Sequence, residues 1–131
     1  MEKLFKLLSD TQASLLVLFH KTWVYHWNVV GPDFKQYHDL FGEQYETMFE
    51  EIDRLTEHMR FLGMKPVSTL SRVTEVSKVE QASNSSQSID SKTMIEQLMN
   101  DNKTLIEMFN EVSEEAEKQK SKGTINLIDD L

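Results

Sequence analysis

Two long stretches of apolar residues at helical spacing, separated by a Gly-Pro step, most constrain what this chain can fold into. In residues 3–30 and 34–63, apolar side chains recur about every 3.6 residues, which predicts two amphipathic helices. Gly31-Pro32 ends the first helix, because proline lacks the N–H that the hydrogen-bond ladder needs. Asp33 is expected to cap the second helix. So short a connection makes the two helices antiparallel neighbours.

A third long helix is predicted over residues 91–121, where apolar spacing of the same kind returns. We expect Ser91 to cap its start and Gly123 to break it at its end. The stripes of the three helices predict the core. They comprise Leu4, Leu7, Leu8, Leu15, Leu18, Phe19 and Val29; Tyr37, Leu40, Phe41, Tyr45, Met48, Ile52, Leu55, Met59 and Leu62; and Met94, Ile95, Leu98, Leu105, Phe109 and Val112.

The rest of the chain is predicted to connect these helices. Leu70–Val79 suits a short helix, and the Ser- and Asn-rich stretch Ala82–Ser88 suits a loop. This long crossover allows the third helix to run parallel or antiparallel to the second. Residues 124–131 leave room for only about two turns of a fourth helix. The pattern predicts an all-α four-helix bundle forming one domain over residues 1–131.

Composition excludes several classes of protein. The chain has no cysteine, so thiolate zinc sites and cysteine nucleophiles are excluded. Its net charge of −8 argues against nucleic-acid binding through the average surface, which requires a basic patch. The sequence has neither the ~18-residue apolar run of a membrane span nor a signal-peptide pattern at its start. A cytoplasmic location is therefore expected.

Four polar residues suggest a metal site. His26 lies near the end of the first helix and His38 near the start of the second, so the tight turn brings both to one level of the bundle. Imidazoles placed in this way can bind a metal, although each could instead be an ordinary hydrogen-bonded histidine. Asp53 and Glu57 lie four residues apart, so their carboxylates share a helix face. They could hold a hard cation or simply form a solvated acidic face.

Helix length decides how these four residues can meet. His38 and Asp53 are separated by roughly 22 Å at about 1.5 Å per residue, too far for one metal centre. A twofold dimer with antiparallel second helices could bring the histidines of one chain to the carboxylates of the other. The Glu-x-x-His repeat of common di-iron bundles is absent from the sequence.

Residues 26–34, His-Trp-Asn-Val-Val-Gly-Pro-Asp-Phe, followed by Tyr37-His38, Glu43-x-Tyr45, Asp53 and Leu62-Gly63, resemble the Dps family of ferritin-like miniferritins. The resemblance implies a dodecameric cage of homo-oligomeric subunits. It also implies an iron-oxidising (ferroxidase) site between twofold-related subunits, with His26, His38, Asp53 and Glu57 as iron ligands. There Fe(II) would be oxidised by peroxide or dioxygen and stored as ferric mineral, which protects against oxidative damage.

The sequence departs from the family pattern at Gly42, where the resemblance implies a further Asp ligand. Asp39 or Glu46 could substitute for it, or the site could hold fewer metals. One alternative is therefore a metal-binding or assembly protein with impaired ferroxidase activity. The acidic residues Asp39, Glu43, Glu46 and Glu50 form a stripe that could nucleate mineral or could be a solvated face.

Two further features bear on family activities. Trp27 follows the first histidine; it could intercept oxidising equivalents at the site or serve only in packing. A DNA-compacting role is the second alternative, but the start of the chain offers only Lys3 and Lys6, so we expect no strong DNA binding. The resemblance implies a full fourth helix, whereas residues 124–131 suffice for only about two turns. We therefore expect dimerisation more firmly than assembly of a cage.

Overall fold

The computed structural model describes residues 1–82 and 89–131, and these form five helices without a strand. The helices are α1 (Glu2–Asn28), α2 (Phe34–Phe61), α3 (Leu70–Val76), α4 (Ser91–Lys118) and α5 (Lys122–Asp130). The predicted all-α class and the short crossover helix are confirmed. The predicted loop over 82–88 falls, except for its first residue, outside the described residues. Within the described ranges, no helix has the length and apolarity to cross a membrane.

Contacts between α1 and its neighbours set the direction of the long helices. α1 and α2 are antiparallel, as the tight turn predicts, because residues near the end of α1 meet residues near the start of α2. An ion pair joins Lys21 to Asp101, and another joins Lys3 to Glu115, so α4 also runs antiparallel to α1. α4 is therefore parallel to α2, which settles the direction that the sequence left open.

α5 packs as the short fourth member of the bundle. His58 Nε2 and Thr124 Oγ1 lie 2.7 Å apart, and Arg54 donates to Asp130 at 2.8 Å. Because the later residue of α5 meets the earlier residue of α2, the two helices are antiparallel. This arrangement completes a four-helix bundle with α3 lying in the crossover.

The predicted apolar stripes form most of the hydrophobic core, and α1 lies at the centre of that core. Sixteen residues of these stripes and of the other elements are among the most deeply buried apolar side chains: Leu4, Leu8, Ala13, Leu15, Leu18, Tyr25, Val29, Phe41, Leu55, Met59, Val73, Met94, Leu98, Leu105, Val112 and Ala116. Leu40 was wrongly predicted to be core, since it is 39% exposed. It lies about 100° around the helix from its neighbour Phe41, at the edge of the stripe.

Polar side chains of α1 hold the crossover in place. The buried Gln12 side chain donates to the carbonyl of Val67 at 3.0 Å and accepts from its N–H at 2.8 Å. The Ser14 hydroxyl accepts a hydrogen bond from the N–H of Lys78 at 2.8 Å. These bonds satisfy backbone groups that would otherwise be buried without partners.

The N-terminal caps of α4 and α2 differ from the prediction: in α4 the capping residue is one position earlier, and in α2 the predicted residue makes no capping hydrogen bond. Asp90, not Ser91, caps α4, because its carboxylate accepts the N–H of Thr93 at 2.8 Å. Asp33 does precede α2, but its side chain makes no capping hydrogen bond. Sequence reasoning cannot easily separate adjacent residues that are both good caps.

Two helices end in the same hydrogen-bond pattern, one with glycine and one without. After α2, Gly63 has φ +82°, and the N–H of Met64 donates to the carbonyl of Met59, the pattern typical of a helix that ends at a glycine. After α4, the same left-handed position is taken by Lys120 at φ +58°. The predicted break at Gly123 is therefore wrong, and this glycine lies inside α5.

Candidate metal centre

The two histidines face each other beside the turn that joins α1 to α2. The ring centroids of His26 and His38 lie 3.7 Å apart, and the ring planes differ by 19°. The Phe34 ring stacks on the other side of His38, at 4.9 Å. The antiparallel turn therefore brings the pair to one level of the bundle.

Reciprocal hydrogen bonds fix both imidazoles. Nδ1 of His26 donates to the carbonyl oxygen of His38 at 2.6 Å, and Nδ1 of His38 donates to the carbonyl oxygen of His26 at 2.8 Å. A carbonyl can only accept, so each Nδ1 carries a proton, and in the neutral form of each ring the lone pair is therefore on Nε2. Metal-binding histidines are commonly held by such a bond from the nitrogen that does not ligate. Both rings thus have the tautomer that a metal ligand needs.

Gly42 lies directly against the His26 ring. A Cβ built on Gly42 would be 3.2 Å from Cε1 and 3.3 Å from Nδ1 of His26. The Tyr45 ring contacts His26 as well, with centroids 5.2 Å apart. Sequence reasoning placed Tyr45 in the core and in the family pattern, but not at the histidine pair. Its spacing of seven residues from His38 on the same helix was the available signal, because that spacing returns to almost the same angle.

The two carboxylates form a second cluster, farther along α2. Asp53 and Glu57 are both exposed, and a hydrogen bond to Asp53 raises the pKa of Glu57, with charge repulsion from Asp53 and desolvation adding to the shift. The two carboxylates therefore repel each other when both are ionised, and a cation bound by both would relieve that repulsion. Such a pair supplies hard oxygen ligands.

The histidine pair and the carboxylate pair lie far apart in one chain. α2 is continuous from Phe34 to Phe61, so His38 and Asp53 are separated by roughly 22 Å along its axis. In the parts of the chain that the structure describes, no cluster of three or more His, Asp or Glu side chains could hold a metal. Each chain thus presents two separate candidate half-sites, the histidine pair and the carboxylate pair.

The predicted substitute ligands lie on the exposed face of α2. Asp39 is paired with Lys35 at 3.0 Å, and this hydrogen bond is the main cause of its lowered pKa, to which the nearby His38 and His26 also contribute. Glu46 is exposed, as are Glu43 and Glu50. The structure therefore places an acidic face beside the histidine pair, but it does not place these side chains around a common point.

Trp27 belongs to an exposed aromatic group. It is 52% exposed, packs on Trp23 with ring centroids 4.8 Å apart and meets His20 edge-on at 6.4 Å. Trp23 in turn stacks on Tyr45 at 5.9 Å, and Tyr45 contacts His26. Trp27 is thus linked to the histidine pair through two intervening rings.

The other two histidines lie outside both half-sites. His58 is half-buried, and burial lowers its pKa; its bond to Thr124 joins α2 to α5. His20 packs against Trp27. Both have structural contacts of the kind expected for histidines that are not ligands.

Comparison with known proteins gives a consistent result. A family model described as a ferritin-like domain matches residues 5–131. The DNA protection during starvation protein of Helicobacter pylori strain J99 is 36% identical over 128 residues, covering 98% of this chain and 88% of that protein. The DPS protein of Vibrio cholerae O1, described as a member of a superfamily of ferritin-like diiron-carboxylate proteins, superposes with a TM-score of 0.92 at 26% identity, covering 98% of this chain and 79% of that one. Dps from Thermosynechococcus elongatus superposes with a TM-score of 0.91 at 29% identity, covering 97% of this chain and 79% of that one.

Proposed function

The chain belongs to the ferritin-like Dps family, and we propose that it is a miniferritin subunit that oxidises Fe(II) at a site shared by two chains and stores the ferric product. Iron storage and protection from oxidative damage are general properties of this family. The specific site, with His26 and His38 from one subunit and Asp53 and Glu57 from its neighbour, is our proposal. Residues 1–131 would act as one ferritin-like domain, in the cytoplasm, where Fe(II) is available.

The observation that carries the proposal is the pair of reciprocal bonds between the imidazoles and the backbone carbonyls. Each bond, at 2.6 Å and 2.8 Å, fixes a proton on Nδ1 and leaves Nε2 as an electron-pair donor. Two adjacent imidazoles that both use Nδ1 for a backbone bond, and so offer Nε2 to a ligand, suit a first-row divalent cation such as Fe(II).

The surface between the half-sites supports a twofold dimer. If His38 of one chain meets Asp53 of the other along antiparallel α2 helices, the symmetry axis passes near residues 45–46, midway between them. Trp23 and Phe49 lie on this part of the surface, with 36% and 64% of their area exposed, and both pack against Phe19. An exposed aromatic group at the expected axis would form the centre of such an interface.

The ligands suit both oxidation states of the substrate. Imidazole nitrogens bind Fe(II), whereas carboxylates stabilise the harder Fe(III) product. Two Fe(II) ions give one electron each to one hydrogen peroxide molecule. With two waters, the products are two FeOOH units of mineral and four protons, so atoms and charge balance. The acidic stripe of Asp39, Glu43, Glu46 and Glu50 would attract Fe(II) and nucleate this mineral inside a homo-oligomeric, dodecameric cage.

Gly42 favours one alternative function. Without a carboxylate at this position the shared site has four candidate ligands, and it could bind metal without accelerating oxidation. The protein would then be a Dps-fold metal-binding or assembly protein. The third candidate, DNA compaction, is disfavoured by the net charge of −8.

Complementation between two defective chains tests the shared site. One chain carries His26→Ala and His38→Ala, and the other carries Asp53→Ala and Glu57→Ala. Random pairing on co-expression makes half of the dimers mixed, and each mixed dimer has one complete site, so about a quarter of the wild-type sites should return. Co(II) calorimetry counts the sites, and stopped-flow absorbance follows Fe(II) oxidation by peroxide.

Each homo-oligomer alone serves as the control and should have no site. No recovery on mixing, with both chains folded and assembled, would refute the shared site. Recovered Co(II) binding without accelerated oxidation would instead establish the alternative of an impaired ferroxidase. A low-salt gel shift tests DNA binding, and we expect no retardation.

A further inference from the structure

We propose that Gly42 is a positioning residue that holds open the space in which the His26 imidazole lies. The absence of a side chain at this position lets the ring approach the α2 backbone, stack on His38 and make its hydrogen bond. The expected effect of Gly42 on metal affinity rests on the proposed metal site, whereas its expected effect on the position of the His26 ring does not.

The His26 ring has close neighbours at both faces of its packing and at its Nδ1 edge, from Gly42, His38 and Tyr45. Gly42 lies on one side, and the stacked ring of His38 lies at 3.7 Å. The Tyr45 ring contacts it at 5.2 Å, and the short bond to the carbonyl of His38 fixes its Nδ1 edge. A Cβ at Gly42, at 3.2 and 3.3 Å from ring atoms, would push the ring by a few tenths of an ångström. The ring could yield only by lengthening its hydrogen bond or by pressing on its neighbours.

The backbone itself does not require glycine at this position. Gly31 and Gly63 adopt φ values of +113° and +82°, where other residues would be strained. Gly42 lies in the interior of α2 and has no positive φ. Gly123 is also helical, but a Cβ there would lie at an ordinary 3.5 Å from Cε1 of His58. Of the four glycines, Gly42 is therefore the one that is explained by a close side-chain approach.

The consequence concerns how the half-site binds its ligand. With His26 placed as it is in this chain, a residue at position 42 that offered a carboxylate would also bring a Cβ against the ring. The imidazole pair in its present stacked arrangement and a side chain at position 42 therefore compete for the same space. We infer that this chain has a half-site based on two imidazole nitrogens, in which the position of the rings determines affinity for a divalent first-row cation. Gly42 acts on the metal through His26, not as a ligand.

Substitution by alanine separates positioning from folding. Gly42→Ala adds only a Cβ, and its gain in helix propensity offsets the strain that this Cβ causes at His26, so the chain should fold and melt near the wild-type temperature. Metal-free crystal structures should show the His26 ring displaced and its bond to the carbonyl of His38 lengthened or lost. Co(II) calorimetry should show at least a tenfold loss of affinity.

Gly123→Ala is the matched control, because it also adds a Cβ to a helical glycine beside a histidine. It should leave the imidazole pair and Co(II) affinity unchanged. The proposal is overturned if the His26 ring and both hydrogen bonds are unchanged in Gly42→Ala, or if the ring moves and Co(II) affinity does not fall. If wild-type protein binds no Co(II), the proposed metal site fails, and the metal-free structures still decide whether Gly42 positions the ring.

Discussion

The ion pair between Lys21 and Asp101 should contribute far more to stability than an ordinary surface pair. Its atoms lie 2.8 Å apart, and the Lys21 and Asp101 side chains are only 6% and 17% exposed. Replacing Asp101 by Asn would leave an ammonium group buried without a compensating charge. Loss of one partner of a buried pair costs about 3–5 kcal/mol, and the partial exposure of Asp101 favours the lower end.

The expected cost can be measured by melting. At about 3–4 °C per kcal/mol for a chain of this size, Asp101→Asn should lower Tm by roughly 10 °C. The assay compares wild type and variant by circular dichroism at equal protein concentration, since oligomerisation shifts Tm. The same variant should lower the pKa of Tyr25, which burial and then the charge of Asp101 raise. Ultraviolet titration of the phenol gives this second readout.

Two further variants test the reasoning. Glu75→Gln breaks the exposed ion pair with Arg72 and should cost less than about 1 kcal/mol. The double variant Lys21→Met/Asp101→Leu removes both charges and should recover most of the stability lost in Asp101→Asn. If Asp101→Asn costs no more than Glu75→Gln, the buried pair has no special role in joining α1 to α4.

Three other predictions follow from named contacts. Asp53→Asn removes the carboxylate that raises the pKa of Glu57. In the wild type, ionisation of Glu57 destabilises the fold as the pH rises through that pKa. In thermal melts with a chelator, the variant should therefore be more stable than the wild type at about pH 8 but not at about pH 4. Lys120→Gly should stabilise the fold by about 1 kcal/mol in urea unfolding, since Lys120 has a left-handed backbone. Gln12→Leu should cost about 2–4 kcal/mol and speed hydrogen exchange around Val67, whose N–H and C=O lose their partner. Unchanged stability in any of these variants would contradict the corresponding contact.

The sequence predicts the long helices well because their burial is periodic. Phe41, Met48 and Met59 fall within a narrow angle of α2, and all three are buried. The prediction fails where a single residue decides the outcome. Lys120 takes the left-handed position that glycine usually takes, because the hydrogen bonds that end α4 compensate for its strain, and nothing in residue type signals this.

The candidate site, too, could be predicted from the sequence only in part. Spacing alone places His26 and His38 at one level and shows that Asp53 is too far away along the same helix. Spacing cannot give the tautomer of the rings, since that depends on which carbonyl each Nδ1 reaches. Nor can it distinguish a lost ligand at Gly42 from a space that a neighbouring ring needs, since the ring comes from another helix.

The uninterrupted length of α2 determines whether the two half-sites can meet. In an antiparallel dimer, His38 and Asp53 lie at equal distances on either side of the symmetry axis, so one residue inserted between them would change their separation by only about 1.5 Å. The same insertion would rotate the carboxylates by about 100° relative to the histidines, away from the shared face. The rotation of about a quarter of a turn is therefore far more damaging than the change in length. A helix without a bulge between these residues is as much a requirement of the proposed site as the ligands themselves, and α2 meets it from Phe34 to Phe61.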